Sequence, residues 1–170
     1  MLGSEDLLIH LATHGSRHAW RRLSWLAEFS ALIPRTSKDA WRRVWESAAR
    51  DDVDRPVGQA LQISRQLFDT PIPGEAKRRV MDTRAMRGLA RRAFSEMAAE
   101  EGTGPSGVRA TFSEMFSYRA RLGHSRAYRV RFLSTLLLAG GDIYDVALPD
   151  RLVWLYCFLR PVLWVRRLFR

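Results

Sequence analysis

The stretch TSKDAWRRVWESAARDD, residues 36–52, suits one conformation far better than any other. Its apolar residues Trp41, Val44, Trp45 and Ala48 recur at i, i+3, i+4 and i+7. That spacing gathers them on one stripe of a helix, whereas a strand would scatter them over both faces. No segment of the chain alternates apolar and polar residues as a half-buried strand does, and no internal repeat is visible. The pattern therefore predicts an all-α fold.

The other elements follow from local signals. Ser4 is expected to cap a first helix carrying Glu5 and Asp6 in its first turn, with Leu7, Leu8, Leu11 and Ala12 on its apolar side. Gly15 and Ser16 predict a break or kink. A second helix over 17–33 places Leu23, Leu26, Phe29 and Ile33 near one face and stops at Pro34. Pro56 suits the first turn of the next helix, whose buried side is read as Val57, Ala60, Leu61, Ser64, Leu67 and Phe68. A long basic helix is expected over 75–100, then a flexible loop at 101–107 (EGTGPSG). Helices over 108–121 and 124–139 follow, separated near Gly123. A connector, DIYDVALPD, leads to a last helix over 151–170 bent at Pro161. The whole reads as an irregular bundle of about seven to eight helices, one domain over 1–170 with a candidate subdomain boundary at 101–107.

At 170 residues with 46% hydrophobic residues, such a chain can bury a core without disulfides or metal. Cys157 is the single cysteine, which excludes an intrachain disulfide and a cysteine-based zinc site. The N-terminal MLGSEDLLIH is acidic where a signal peptide is basic, and no uncharged run reaches the roughly 18 residues of a spanning helix. A cytoplasmic protein is the expectation, with peripheral contact at the inner membrane face as an addition. The net charge of +10 is carried almost wholly by arginine. Arginine suits bidentate phosphate contacts, although a GC-rich genome also enriches it.

Three features are candidate sites. His10, His14 and His18 lie four apart, so an unbroken helix would stack them. HGSRH has the spacing of the helical zinc motif but Gly15 in place of its glutamate. The expectation is polar or packing histidines at a helix junction, with a metal ladder as the alternative. Second, Arg84, Arg87 and Arg91 share a helical face in a run with few acids, and Arg119, Arg121, Arg126, Arg129 and Arg131 form a second basic run. Both read as solvated faces, with phosphate contact by Arg84, Arg87 and Arg91 as the functional alternative. Third, residues 151–170 mix large apolar side chains with Arg160, Arg166, Arg167 and Arg170. A core helix with snorkelling arginines and an interfacial membrane helix both fit that mixture. Nucleic-acid motifs, a P-loop, G-x-G-x-x-G and G-x-S-x-G are absent. Asp51, Asp52 and Asp54 read as a capped, solvated turn.

EDLLIHLATHGSRHAWRRLSWLAEFSALI resembles the helical segment of an uncharacterised bacterial nucleotidyltransferase family of the polymerase-β-like superfamily, often found near surface-polysaccharide genes. The matching positions are Glu5, Asp6, Leu7, Leu8, His14, Gly15, His18, Trp20, Leu23, Trp25 and Leu26. An aspartate usually follows where this chain has Glu28. The tail GGDIYDVALPDRLVWLYCFLRPVLWVRR is similar through Asp142, Leu148, Pro149, Leu155, Tyr156, Arg160 and Pro161.

The resemblance implies nucleotidyl transfer from a nucleoside triphosphate, with magnesium held by paired aspartates on a strand of an N-terminal α/β domain. No position here matches those aspartates, so no catalytic residue and no metal ligand is assigned. The chain is expected to be a helical C-terminal part with a supporting or substrate-positioning role, inactive alone. Its partner would be that catalytic domain or the product of a split gene, and magnesium is expected only there. His14, His18 and Arg22 are the candidate substrate-facing residues. The alternative function is a basic helical binding module for an anionic membrane surface or nucleic acid.

Overall fold

The computed structural model describes residues 3–72, 74, 76, 84–98, 105–138, 149–155 and 159. Among the described residues there are α-helices and short 3-10 turns and no strand, as the all-α reading requires. The helices are α1 (Ser4–Arg17), α2 (Leu23–Leu32), α3 (Lys38–Arg50), α4 (Asp54–Phe68), α5 (Arg84–Ala98), α6 (Pro105–Ala120) and α7 (Arg126–Leu138). Contacts divide the chain into two compact units, Met1–His124 and Ser125–Arg170. No described helix is long and apolar enough to cross a membrane.

The core of the first unit is built on the stripes expected from periodicity. Trp41, Val44, Trp45 and Ala48 of α3 are all buried. They join Leu8, Leu11, Leu26, Phe29, Val57 and Leu61 in one apolar cluster. Full burial of side chains of this size stabilises by roughly 1.5–3 kcal/mol each before ordering costs are set against it. Helix α3 is capped by Ser37, whose hydroxyl accepts the Ala40 N–H at 3.2 Å.

Several expectations are corrected. Gly3, with extended backbone, is the N-cap of α1, and Ser4 is its first helical residue. Helix α1 runs unbroken through Gly15 and Ser16 to Arg17. The glycine is there for packing: a Cβ on Gly15 would lie 2.3 Å from the Trp20 ring. The chain turns just beyond it, where Ala19 and Trp20 adopt φ of 49° and 57°. The Trp20 N–H donates to the Gly15 carbonyl and the Ala19 N–H to that of Ser16, which is the Schellman pattern of a helix stop. Pro34 lies inside a 3-10 turn, Ile33–Arg35, that extends α2. Leu23, Leu67 and Phe68 are exposed, because α2 and α4 bury their other positions.

Helix α6 begins at Pro105, three residues earlier than 108. A proline in the first turn loses no hydrogen bond, since those N–H groups have no helical acceptor. Asp150–Leu155 form a 3-10 turn in place of the start of an α-helix. Residues 77–83, 99–104, Asp142, Asp145, Cys157, Arg160 and Pro161 lie outside the described residues, and most of the last-helix reading with them.

Helices α4 and α5 approach closely at Gly58, where an added Cβ would meet the Met86 sulfur at 2.4 Å. Beside that contact, buried Gln59 donates its Nε2 to the Leu89 carbonyl at 2.8 Å and to the Tyr118 hydroxyl at 2.9 Å. Tyr118 in turn donates to the Ser16 carbonyl at 2.8 Å. One buried polar chain thus links α1, α4, α5 and α6.

Candidate functional site

An open cleft of about 760 Å³ lies among α4, α5 and α6, and its walls carry Arg55, Arg84, Arg91, Arg92 and Arg121 with one acid, Glu114. Its floor follows from a small residue. Gly88 faces the cleft from the middle of α5, and a Cβ there would meet nothing within 4 Å. Arg84 and Arg91 flank it one turn to either side, while Ser113 and Ser117 present hydroxyls from α6.

The arginines have different duties. Arg55 donates to the carbonyls of Arg121 and Gly123, at 2.9 and 3.0 Å, so it positions the turn after α6. Arg92 bridges Glu96 and Glu114, at 2.5 and 2.6 Å. The side chains of Arg84, Arg91 and Arg121 make no ion pair with any described residue, and all three residues are exposed. Three guanidinium groups with no ion pair among the described residues, set around a concave surface, are suited to an oxyanion with several acceptor oxygens. Arg87 is absent from the walls: it lies on α5 to one side of the face centred on Gly88. Of the expected trio Arg84, Arg87 and Arg91, the cleft brings together Arg84 and Arg91, and Arg121 lines it with them.

The histidines form a second grouping. His10 and His14 stack along α1 with ring centroids 5.8 Å apart, and His18, the C-cap, lies tilted against His14 at 4.8 Å. Trp25 meets His14 edge-on at 4.5 Å and His18 at 5.6 Å. The Arg22 guanidinium lies 5.6 Å from the Trp25 ring centre. So His14, His18 and Arg22 do come together, around Trp25, and none of them lines the cleft. Desolvation lowers the His18 pKa below its ordinary 6.5, and the positive field of His14, Arg119, Arg17 and Arg21 lowers it further. The ladder does not converge: among the described residues, the set of potential ligands within 4.8 Å of one another is Asp52, Asp54 and His124.

That set was not legible in the sequence. Asp52 is not in a solvated turn; it is 6% exposed at the α3–α4 junction. With φ of 58° it ends α3 by a second Schellman pattern, the Val53 N–H donating to Ala48 and the Asp52 N–H to Ala49. Its carboxylate accepts the backbone N–H of His124 at 3.0 Å and lies 2.7 Å from that residue's Nδ1. The one signal for it was an aspartate pair flanking a helix stop.

The magnesium site that the resemblance implies needs carboxylates at alternate positions of a strand. No strand is described, and Asp52 and Asp54 lie at the junction of two helices. These residues do not fit that group. The model of an uncharacterised nucleotidyltransferase family matches residues 1–69, the span of α1 to α4 and the first of the two segments on which the resemblance rests. The similar tail lies outside the match. No curated protein and no solved structure matches the chain.

Proposed function

We propose that this nucleotidyltransferase-like chain serves nucleotidyl transfer by holding the phosphates of a nucleoside triphosphate in the arginine cleft. The carboxylates and magnesium of the reaction would come from a catalytic domain, on the same polypeptide or a partner. In such a transfer an acceptor oxygen attacks the α-phosphorus and pyrophosphate leaves, so negative charge grows on the leaving group. Preorganised cations stabilise that charge better than water does, because they need no reorganisation during the reaction. The observation that carries the reading is the convergence of Arg84, Arg91 and Arg121 on a concave surface with an open floor at Gly88. The match over residues 1–69 supports the reaction class.

Calorimetric titration with ATP, and with inorganic triphosphate as competitor, tests it. Hydrogen bonds to charged groups contribute about 1.5–3 kcal/mol, so Arg84→Ala, Arg91→Ala and Arg121→Ala should each weaken binding roughly tenfold or more. Arg87→Ala removes the same charge from the same helix outside the cleft and should leave affinity nearly unchanged. Gly88→Leu should block binding with every arginine in place. Equal weakening by Arg87→Ala and Arg84→Ala would reduce the cleft to diffuse surface charge and sink the proposal.

A further inference from the structure

We infer that Asp52, Asp54 and His124 form a binding site for a divalent transition-metal ion of the zinc type. The site is separate from the phosphate cleft, and the inference stands whether or not the cleft binds nucleotide.

The donors come from two places 70 residues apart in the chain and still meet. Asp52 and Asp54 flank the stop of α3 and the start of α4, and His124 follows the turn after α6. The Nδ1 of His124 is 2.7 Å from one Asp52 oxygen and 3.5 Å from the Oδ1 of Asp54. All three donor atoms lie within 4.8 Å of one another. Zinc bonds of about 2.0–2.2 Å to nitrogen and oxygen in tetrahedral geometry set ligand atoms a little over 3 Å apart, which is this scale.

The hydrogen-bond arithmetic favours a cation over a proton. An imidazole Nδ1 carries one hydrogen, and the shorter contact gives it to Asp52. The Asp54 Oδ1 is then buried and accepts no hydrogen bond. A buried carboxylate oxygen without a donor is costly. Arg55, next to it in sequence, donates to the carbonyls of Arg121 and Gly123 and not to this oxygen. A divalent ion in place of that proton would give the Asp54 oxygen a partner and keep one for the Asp52 oxygen and the imidazole nitrogen.

The arrangement is also braced. The backbone N–H of His124 donates at 3.0 Å to the same Asp52 oxygen that faces Nδ1, and so fixes that ligand's orientation. Asp52 itself is pinned by the Schellman stop, and the His124 side chain is half exposed, which leaves a coordination position open to solvent. Two carboxylate oxygens and one imidazole nitrogen with an open position suit zinc, cobalt or manganese. They do not suit calcium, which takes six to eight oxygens.

The test is zinc titration of the chelator-treated full chain, read by calorimetry and by the shift in melting temperature. One zinc per chain with a raised melting temperature is expected. Loss of outer-shell partners costs 10–100-fold in metal affinity, so loss of a ligand in Asp54→Asn or His124→Gln should cost about a hundredfold or more. Both variants keep the backbone N–H that anchors Asp52, and their circular dichroism without metal should match the parent. Zinc binding that survives both changes would overturn the assignment. So would binding that is abolished by His14→Ala and kept in Asp54→Asn, which would place the ion on the histidine ladder.

Discussion

Helices α1 and α3 stop in the same way and use the stop for opposite purposes. Each ends in a Schellman pattern with a non-glycine residue in the left-handed region, Ala19 after α1 and Asp52 after α3. After α1 the device is apolar: Ala19 and Trp20 are fully buried and the indole covers Gly15. After α3 it is polar, and its carboxylate reaches His124. The segment 118–124 engages both ends. Tyr118 and Arg119 donate to the carbonyls of Ser16 and Arg17, and the His124 N–H meets Asp52. A backbone motif therefore fixes where a helix stops, while the side chain at its left-handed position decides what the junction is for.

The sharpest way to break the apolar junction is Gly15→Ala. Judged by helix propensity alone, this change should stabilise by nearly 1 kcal/mol, since Gly15 sits inside α1. The structure reverses the sign, because the new methyl would overlap the Trp20 ring. Forcing a group into a filled core costs about 1–3 kcal/mol, and here a residue already at positive φ must also move. Urea unfolding should show a lowered midpoint. A raised midpoint would mean that Trp20 does not cover Gly15 in solution.

That glycine shows what could be read from the residues and what could not. Periodicity is a local quantity, so the stripe of Trp41, Val44, Trp45 and Ala48 predicted its own burial, and the helices followed from similar stripes. Propensity predicts a break at Gly15 because it does not encode the reason for the glycine, a packing contact with Trp20. The polar contacts were harder still. Tyr118 meets Ser16 across 102 residues and Gln59 across 59, and His124 meets Asp52 across 72. No spacing rule spans such separations. Arg84 and Arg91 could be found from their run of charge, whereas Arg121 joins them only because the turn after α6 lines the same cleft.

At the polar junction, Asp52→Gly separates backbone from side chain. Glycine relieves the left-handed conformation, a gain of up to about 1 kcal/mol. It also strips the His124 N–H of its buried acceptor, a loss of about 1–3 kcal/mol. A net destabilisation near 1 kcal/mol is expected in metal-free protein, smaller than the effect of Gly15→Ala. Faster hydrogen exchange should be confined to the turn around His124. Stability equal to or above the parent would show that the carboxylate contributes nothing to the fold, and the two junctions would then differ in appearance only.

The smallest effect concerns the C-cap of α1, His18, and its sign can be worked out in advance. The negative end of the helix dipole favours an imidazolium at this position. Desolvation and the positive charges of His14, Arg119, Arg17 and Arg21 oppose it and prevail, so the folded pKa lies below 6.5. The unfolded chain then binds more protons than the folded one across that interval, and stability rises with pH there. The contribution of His18 is fully present above the unfolded value of 6.5 and is lost as pH falls through the lower folded value. Unfolding midpoints at about pH 7.5 and about pH 5.5 should therefore fall further apart in the parent than in His18→Gln, which cannot take up a proton. Equal separations would mean that the ring protonates as readily in the folded chain as in the unfolded one. The apolar junction would then carry no electrostatic cost, and the contrast with Asp52 would rest on packing alone.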